Sequence, residues 1–389
     1  MKNIVIFTAY FLPGYKGGGP IKSIKNIVET LGSRCNIFII TNDRDLGDKE
    51  TYNNIKVNEW NEKFNCKVLY IDKYINIFTL GKLLKKKLRD VDVDLIYLNS
   101  IFDFKFSIFP SILNKFGIIK SKKVLLAPRG ELDSGALKLK YGKKIIFIKV
   151  AKIINLYKNI RFHATSDEEV KSIKKEISTR NYIYKVENLV LLKEMNTKKK
   201  IKKEKELKVL FLSRITQKKN LDYALNIFKN IENDVENLSL TFDIYGTLED
   251  ELYWHQCLNE ISSIKNINIT YKGEIIPENI SSVLLKYDLF LFPTRGENFG
   301  HVIVEALENG VPILISDNTP WNDINKHNAG WALSLNNIEA FEEKIIYMAN
   351  IGQNEWGNMS VNAYNYLTDK LNVEEIKTKT FNMFIDPMK

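Results

Sequence analysis

The chain alternates short β-branched runs with longer amphipathic stretches, and it does so on both sides of a lysine-rich segment. Apolar runs such as Ile4–Thr8 and Leu289–Phe292 lack strict polar alternation, which is typical of strands covered on both faces. Helical periodicity follows the first of them, over Ile21–Leu31. This β-then-α order predicts an α/β fold built from doubly wound parallel sheets.

The segment Lys193–Lys208 interrupts this order. It contains eight lysines and three glutamates without apolar periodicity, a composition typical of a solvated, loosely ordered charge run. We interpret residues 193–208 as a linker between an N-terminal domain, 1–192, and a second α/β domain, 209–365. A helix within 366–389 is long enough to cross back to the first domain. Two such domains predict a cleft lined by the loops that follow their strands.

Composition excludes several classes of protein. The 389 residues are 44% hydrophobic and include three scattered cysteines and four scattered histidines, which disfavours disorder, a disulfide framework and a zinc site. No apolar run approaches the roughly 18 residues that a membrane span needs, so we expect a reduced, cytoplasmic protein. The net charge of +10 fits either AT-rich codon usage or an anionic partner. A nucleic-acid binder rests on this charge alone, because no nucleic-acid motif is present.

The most informative segment reads PTRGENFGHVIVEALENG. Glu297 precedes a helix that begins near His301, and Glu305 lies about one turn inside that helix. Two carboxylates there can accept hydrogen bonds from the hydroxyls of two sugar rings. The backbone amides of Phe299, Gly300 and His301 start the helix and favour an anion. The combination predicts a nucleotide-sugar site, although either glutamate alone could simply stabilise the helix.

A basic loop opens the second domain. Arg214 and Lys219 follow its first strand, in the segment SRITQKKN. Arginine grips phosphate oxygens bidentately and lysine supplies a compact charge, so the two side chains can neutralise a diphosphate. A solvated basic loop is the alternative, but a position at a strand end, facing the Glu297 loop, favours phosphate binding.

Two further strand-end loops lie in the N-terminal half. Gly17, Gly18 and Gly19 follow the first strand, where consecutive glycines let a ligand approach the backbone amides of a helix start; a flexible turn is the alternative. The sequence of this glycine loop matches neither the dinucleotide-binding fingerprint nor the P-loop, which disfavours oxidoreductases and NTPases. Arg129 follows another strand, in the segment APRGELD.

The stretch from Ser134 to Ser166 holds eight basic residues and no acidic residue. Two interpretations of its basic part, 138–161, stay open. It is either an amphipathic surface that contacts anionic lipid or a lipid-diphosphate acceptor, or a buried helix whose lysines extend to solvent.

Together these motifs resemble the retaining glycosyltransferases of family 4, which have the GT-B fold of two facing Rossmann-like domains. The most specific element is the E-x7-E signature from Glu297 to Glu305. The resemblance implies a hexosyltransferase-type enzyme that transfers a sugar from a UDP- or GDP-sugar with retention of configuration, without a metal ion or another cofactor. The following SDNTPW is similar to bacterial members that build surface polysaccharide, capsule or lipopolysaccharide.

The resemblance also implies residue roles. Glu297 would contact the donor sugar and Glu305 the ribose, while Arg214 and Lys219 would stabilise the departing nucleoside diphosphate. Substrate contacts are expected from the glycine loop, from the position that matches a family histidine, and from the helix start: Gly17, Gly18, Gly19, Arg129, Asn298, Phe299, Gly300, His301 and Glu305. A second departure from the family pattern is Asn220, where a glycine is usual.

The acceptor implied by the resemblance is a polysaccharide or a lipid-linked glycan precursor, bound by the N-terminal domain at the inner face of the cell membrane. Two D-x-D pairs, Asp43–Asp45 and Asp92–Asp94, are similar to the metal-diphosphate motifs of other glycosyltransferases. No metal is needed where Arg214 and Lys219 supply the counter-charge, so we predict no metal site. The alternative function is a catalytically silent, nucleotide-sugar-binding partner of another glycosyltransferase.

Overall fold

The computed structural model describes residues 1–133, 136–137, 141–177, 180–194 and 201–385. The chain divides into two compact units, one formed by Met1–Leu191 with Val373–Lys389 and the other by Leu192–Asn372. Each unit is built around a mainly parallel sheet flanked by helices, so the α/β class predicted from the sequence is confirmed.

The N-terminal unit contains an eight-stranded sheet in the order β3-β4-β2-β1-β5-β6-β7-β8. The strands are β1 Lys2–Phe7, β2 Cys35–Asn42, β3 Trp60–Lys63, β4 Cys66–Ile71, β5 Val93–Asn99, β6 Ser121–Ala127, β7 Arg161–Ala164 and β8 Ile183–Lys185. Its first helices are α1 Gly19–Leu31, α2 Ile77–Leu88, α3 Phe109–Lys115, α4 Tyr141–Ile153 and α5 Asp167–Glu176. Strand β3 runs antiparallel to β4, and the other neighbours are parallel.

The C-terminal unit contains a six-stranded, fully parallel sheet in the order β11-β10-β9-β12-β13-β14. The strands are β9 Glu206–Leu212, β10 Ser239–Tyr245, β11 Asn268–Tyr271, β12 Leu289–Phe292, β13 Ile313–Ser316 and β14 Gly330–Leu333. The helices are α6 Leu221–Ile231, α7 Glu251–Ser263, α8 Ile280–Leu284, α9 His301–Glu308, α10 Ile338–Asn350 and α11 Gln353–Lys370.

The central strands are covered on both faces, as their continuous apolar runs predict. In β1, Ile4 and Ile6 join the hydrophobic core on one side of the sheet, whereas Val5 and Phe7 join the core on the other side. All four side chains are fully buried. Burial on both faces explains why these strands lack polar alternation.

The last helix, α12 Val373–Ile385, packs in the N-terminal unit. Its Met383 and Phe384 join the core of that unit, and the Phe384 ring lies 4.9 Å from the ring of Tyr97. The Lys123 amine donates a hydrogen bond to the Met383 carbonyl. Among the described residues, no helix combines the length and apolar character needed to cross a membrane.

The structure differs from the predicted linker, 193–208, at its C-terminal end. Strand β9 begins at Glu206 rather than at residue 209, and residues 195–200 lie outside the described residues. Lys202 is buried, and its amine donates hydrogen bonds to the carbonyls of Lys203 and Glu206. A lysine-rich run therefore contains one lysine that is structural, which its composition does not reveal.

Both sheets have a switch point, where successive connections leave in opposite directions. Strand β1 lies between β2 and β5, and β9 lies between β10 and β12. Open α/β sheets bind ligands outside the carboxyl ends of the strands at such points. In the C-terminal unit, the loops that follow β9 and β12 contain the basic and acidic residues singled out from the sequence.

Candidate functional site

The site in the C-terminal unit centres on one ion pair. The Lys219 amine lies 2.7 Å from Oε1 and 3.1 Å from Oε2 of Glu297, and both side chains are largely buried. Burial lowers the pKa of Lys219, whereas the nearby Glu297 carboxylate raises it. A desolvated lysine held against a carboxylate supplies positive charge in a site of low dielectric, where charge interactions are strong.

Arg214 adds a second cation to this site. Its guanidinium donates a hydrogen bond of 2.6 Å to Glu249, and about a third of its side chain is exposed. Arg214 also contributes to lowering the pKa of Lys219, so the two cations lie within electrostatic range of each other. The structure therefore places two of the predicted catalytic residues, Lys219 and Glu297, in direct contact, while the third, Arg214, pairs with Glu249 within electrostatic range of Lys219.

The end of strand β10 supports the Arg214 loop through a close backbone approach. Gly246 has φ +149°, and a Cβ on it would lie 1.7 Å from the carbonyl oxygen of Ser213. The Ser213 amide donates to the Tyr245 carbonyl, and the Gly246 amide donates to the Gly273 carbonyl. A side chain at residue 246 would force the Ser213–Arg214 peptide out of place.

The segment after β13 forms hydrogen bonds with the loop that contains Glu297. The Glu297 amide donates to the Asn318 carbonyl at 3.0 Å, and the Trp321 indole donates to the Phe299 carbonyl at 2.6 Å. The Phe299 ring packs against Trp321 and is nearly buried. The SDNTPW segment thus fixes the backbone on both sides of Asn298.

Gly300 allows the loop to turn into helix α9. Its φ of +83° is in the left-handed region, which favours glycine. A Cβ there would also lie 2.9 Å from the Ile303 side chain and 3.3 Å from Glu297 Cγ. Any other residue would therefore crowd the acidic side chain of the ion pair.

The remaining predicted contacts of this unit lie around the start of α9. His301 begins the helix, and its ring lies 4.8 Å from that of Phe299. Asn298, His301 and Glu305 are all partly exposed. Glu305 lies four residues after His301, which places the two side chains on the same helix face.

The glycine loop of the N-terminal unit is organised by an aspartate that sequence reasoning set aside. Asp45 is buried, and its Oδ2 accepts hydrogen bonds from the amides of Tyr15 and Lys16, at 2.7 and 3.0 Å. Gly18 has φ +70° and directly precedes α1, which begins at Gly19. The pattern D-R-D is therefore structural here, since Asp45 shapes the loop and Asp43 pairs with Arg44.

A cavity of about 740 Å³ lies beside this loop, within the N-terminal unit. Tyrosines, lysines and carboxylates dominate its lining: Pro13, Tyr15, Lys16, Asp45, Asp48, Lys49, Glu50, Thr51, Tyr52 and Asn53. The Lys16 amine lies 2.9 Å from Asp48. The buried Tyr52 hydroxyl makes no hydrogen bond within the described residues. A Cβ on Gly17 would crowd Ile21 and Tyr10, two side chains outside the cavity lining.

Arg129 lies in a polar network of the N-terminal unit. Its guanidinium donates to Asn188 Oδ1 at 2.6 Å, to the Tyr97 hydroxyl at 3.0 Å, and to Asn99 Oδ1 at 2.9 and 3.2 Å. These four bonds use most of the five N–H donors of the side chain. The sequence predicts that Arg129 contacts substrate. In the structure, its guanidinium forms these hydrogen bonds with side chains of the protein itself.

The same network fixes the protonation state of a buried histidine. His163 Nε2 donates to the Val186 carbonyl, so Nδ1 accepts from the Tyr97 hydroxyl at 2.7 Å. Burial, together with the charge of Arg129, lowers the pKa of His163 to about 3. His163 is therefore neutral near pH 7.

Comparison with known proteins gives a family match for the C-terminal unit. Residues 193–365 match the family described as glycosyl transferases group 1. This match covers most of the C-terminal unit. The matched residues include Lys219 and Glu297, and the glycosyltransferase predicted from the glutamate signature is confirmed. Within the described ranges, this glycosyltransferase has no group of three His, Cys, Asp or Glu side chains able to hold a metal ion.

Two curated relatives share part of the sequence. An uncharacterized 41.2 kDa protein in the cps region of Klebsiella pneumoniae is 27% identical over 253 residues, which are 62% of this chain and 66% of that protein. A UDP-N-acetylglucosamine–peptide N-acetylglucosaminyltransferase GtfA subunit of Streptococcus gordonii is 27% identical over 180 residues, 43% of this chain and 34% of the subunit. The chain thus spans just under two thirds of the first relative and about one third of the second.

Solved structures share the fold over the whole chain. Anabaena HepE, crystallised in complex with UDP and glucose, has a TM-score of 0.73 at 14% identity, covering 98% of this chain and 99% of that chain. The GT-B fold class predicted from the sequence is therefore confirmed for this chain.

Proposed function

We propose that the chain is a family 4, retaining, metal-independent glycosyltransferase that moves a sugar from a UDP- or GDP-sugar to a polysaccharide or lipid-linked glycan precursor. The buried Lys219–Glu297 pair at the switch point of the C-terminal sheet carries this proposal. A relative encoded in a cps region and a relative named for UDP-N-acetylglucosamine support the substrate class.

The charges at this site suit a departing diphosphate. When the bond between the sugar C1 and the β-phosphate oxygen breaks, negative charge grows on the phosphate, and Arg214 and Lys219 would stabilise it. The acceptor hydroxyl would attack C1 from the same face, and its proton would pass to the departing phosphate oxygen. Glu297 would hold the donor sugar by its hydroxyls, and Glu305 would hold the ribose. The products are the glycoside and a nucleoside diphosphate.

The acceptor is assigned to the N-terminal unit within this proposal. The cavity beside the glycine loop offers Tyr15 and Tyr52 as ring surfaces and Asp48 and Glu50 as hydroxyl acceptors. Aromatic faces together with carboxylates are suited to a glycan. Gly17–Gly19, at the start of α1, border the same loop and would contact substrate through their backbone.

Peripheral contact with the inner face of the cell membrane is a further part of the proposal. Helix α4 buries Ile148 and Ala151, yet Ile146 and Ile153 on its opposite face are 64% and 78% exposed. A helix that is apolar on both faces is stabilised when another apolar surface buries the side chains of its outer face. These exposures disfavour the alternative of a buried helix with extended lysines. Residues 138–140 of the predicted stretch 138–161 lie outside the described residues.

Lysines flank the outer face of α4, which favours an anionic lipid surface as its cover. Lys143 and Lys149 are exposed beside Ile146 and Val150. On binding to vesicles of phosphatidylcholine with phosphatidylglycerol, the paired change of Lys143 and Lys149 to Gln should weaken affinity about twentyfold. Vesicles of phosphatidylcholine alone give the reference. Equal binding of wild type and variant to both vesicle types would refute the assignment.

A catalytically silent partner subunit is the second candidate function, because the streptococcal relative is named as a subunit. Donor turnover by the purified chain separates the two candidates. Release of UDP or GDP with transfer of the sugar to water or acceptor supports an enzyme. Binding of a sugar nucleotide without any release supports the silent partner.

The test begins with a panel of UDP- and GDP-sugars, read as thermal stabilisation of the purified protein, because a ligand of the native state raises the melting temperature. Turnover of the stabilising donors follows, with and without EDTA, and NMR of the product reports its anomeric configuration. We expect retention, no loss with EDTA, and a decrease of about a hundredfold or more for Glu297→Gln and Lys219→Met. Glu260→Gln, which changes an exposed ion pair of the same unit, is the matched control. Full activity of both site variants would refute the proposal.

A further inference from the structure

Asn220 follows Lys219 directly and adopts an unusual backbone conformation. It has φ 65° and ψ 42°, in the left-handed region, and it precedes helix α6. Glycine adopts this conformation at least as easily as asparagine. The left-handed conformation explains why glycine or asparagine suits residue 220. It does not explain why the amide side chain of Asn220 is buried.

The Asn220 side chain connects the two loops of the site. Its Nδ2 donates to the Pro293 carbonyl at 2.8 Å, and its Oδ1 accepts from Arg295 Nε at 2.8 Å. Both partners lie on the segment that leads from β12 to Glu297. Arg295 also extends toward Asp222 in α6, at 3.4 Å.

Backbone contacts reinforce this connection from the other side of Lys219. The Lys218 carbonyl accepts hydrogen bonds from the Arg295 amide at 2.9 Å and from the Thr294 hydroxyl at 3.1 Å. The residues on both sides of Lys219 are thus bonded to the segment that delivers Glu297. These bonds hold the start of the Glu297 segment against the Lys219 loop, and the bond from the Glu297 amide to Asn318 holds its far end.

We propose that Asn220 is a positioning residue, whose amide holds the Glu297 segment in register with Lys219. The inference rests on the proposed function, in which this ion pair serves the donor. A shift of about 1 Å in a positioned group can cost a hundredfold in rate, so the two amide bonds matter more to alignment than to folding. Asn220 itself acts through Lys219 and Glu297.

Asn220→Gly separates the backbone role from the amide role, because it keeps the left-handed conformation without strain and removes both bonds. The accessibility of the Lys219 amine can be measured without a sugar nucleotide. The intact protein is acetylated with acetic anhydride, and peptide mass spectrometry gives the labelling rate at Lys219. Burial and pairing slow this reaction at Lys219. If the amide positions the pair, Asn220→Gly should accelerate labelling of Lys219 by about fivefold or more, because the site opens locally.

Internal and external controls make the labelling result specific. Lys229, in an exposed ion pair with Glu260, should label at the same rate in all proteins. Asn325→Gly is the matched variant, because Asn325 makes two amide bonds to Ala332 in the same unit, away from the ion pair. It should leave Lys219 labelling unchanged. An unchanged Lys219 rate in Asn220→Gly would overturn the proposal.

Turnover of UDP-glucose and UDP-N-acetylglucosamine provides the second readout. Asn220→Gly should lower kcat by about tenfold to a hundredfold while the donor KM changes far less, as expected for lost positioning. If Asn220→Gly fails to fold, Arg295→Met removes the other end of the same bond and should produce the same labelling change. If the wild-type chain uses neither donor, that result counts against the proposed function. The labelling of Lys219 still tests the positioning role of Asn220.

Discussion

The Lys219 ammonium faces both carboxylate oxygens of Glu297, at 2.7 and 3.1 Å, while Arg214 lies within electrostatic range. Each cation is already paired with a carboxylate before a substrate binds, Lys219 with Glu297 and Arg214 with Glu249. A diphosphate entering the site would meet two cations whose positions are already held by these carboxylates. Such preorganised charge costs no rearrangement during the reaction, which makes it effective in catalysis.

The first prediction concerns the alkaline limit of activity. Lys219 must be protonated to balance a phosphate, and its pKa in the folded protein lies below the ordinary 10.5 because the amine is buried. The pH profile of kcat/KM should therefore fall at a lower pH than an exposed lysine would give. Glu297→Gln should lower this limit further, since Glu297 raises the Lys219 pKa. Lys219→Arg should move it upward, because arginine stays charged.

Unfolding does not explain such a loss, and the sign of the linkage shows why. Between the lowered pKa of folded Lys219 and the value of 10.5, the unfolded chain binds more protons at this group. Its contribution to the free energy of unfolding therefore rises with pH in this window. Activity should fall while this contribution to stability increases. Parallel loss of activity and of the folded state, followed by circular dichroism, would count against the assignment.

The second prediction concerns the junction behind Arg214. Gly246→Ala would place a Cβ 1.7 Å from the Ser213 carbonyl oxygen, so we expect a loss of about 3 kcal/mol in the free energy of unfolding and a weaker donor affinity. Urea denaturation measures the first effect. Gly357→Ala, inside helix α11, is the control, because its Cβ would have its nearest neighbour at 3.8 Å. It should stabilise the protein by about 0.5–1 kcal/mol. Equal stability of the two variants would contradict the steric argument.

The sequence predicts the sheets and the site loops well, because their signals are local. Strand Leu289–Phe292 was predicted with its observed bounds, since a fully buried strand is an uninterrupted apolar run. Glu297 and Lys219 were recognised from motif spelling. Their contact spans 78 residues, and it follows from β9 and β12 being neighbours in the sheet.

Other features depend on contacts between side chains that are distant in the sequence. The residues of a short motif do not reveal those contacts. Asn220 was read as a mild departure from glycine, but its amide bonds two residues more than 70 positions away. The sequence presents Asp45 only as part of a D-x-D pair, whereas in the structure its carboxylate organises the glycine loop. Strand β3 was missed because its sequence, WNEK, has a single apolar residue.

The third prediction tests the assignment of Arg129. Because its guanidinium is bonded to Asn99, Asn188 and Tyr97, Arg129→Met should lower the free energy of unfolding by about 2–3 kcal/mol. The donor KM should stay within about twofold. Arg161→Met is the control in the same unit, since Arg161 makes one bond, to the Tyr184 hydroxyl. A large rise in donor KM at unchanged stability would instead support the substrate contact predicted from the sequence.

The fourth prediction follows from the neutral state of His163. Its pKa is about 3 in the folded protein, against an ordinary 6.5, because the ring is buried and lies near Arg129. Below pH 6.5 the unfolded chain therefore binds more protons at His163, and this contribution to stability falls as the pH decreases toward 3. Urea titrations between pH 7.5 and about 4.5 should show that loss, and it should be absent in His163→Gln, which does not titrate. His327, which is exposed and packs on Tyr366, offers the control variant His327→Gln, which should keep the wild-type slope. A wild-type slope in His163→Gln as well would place the acid sensitivity in other groups.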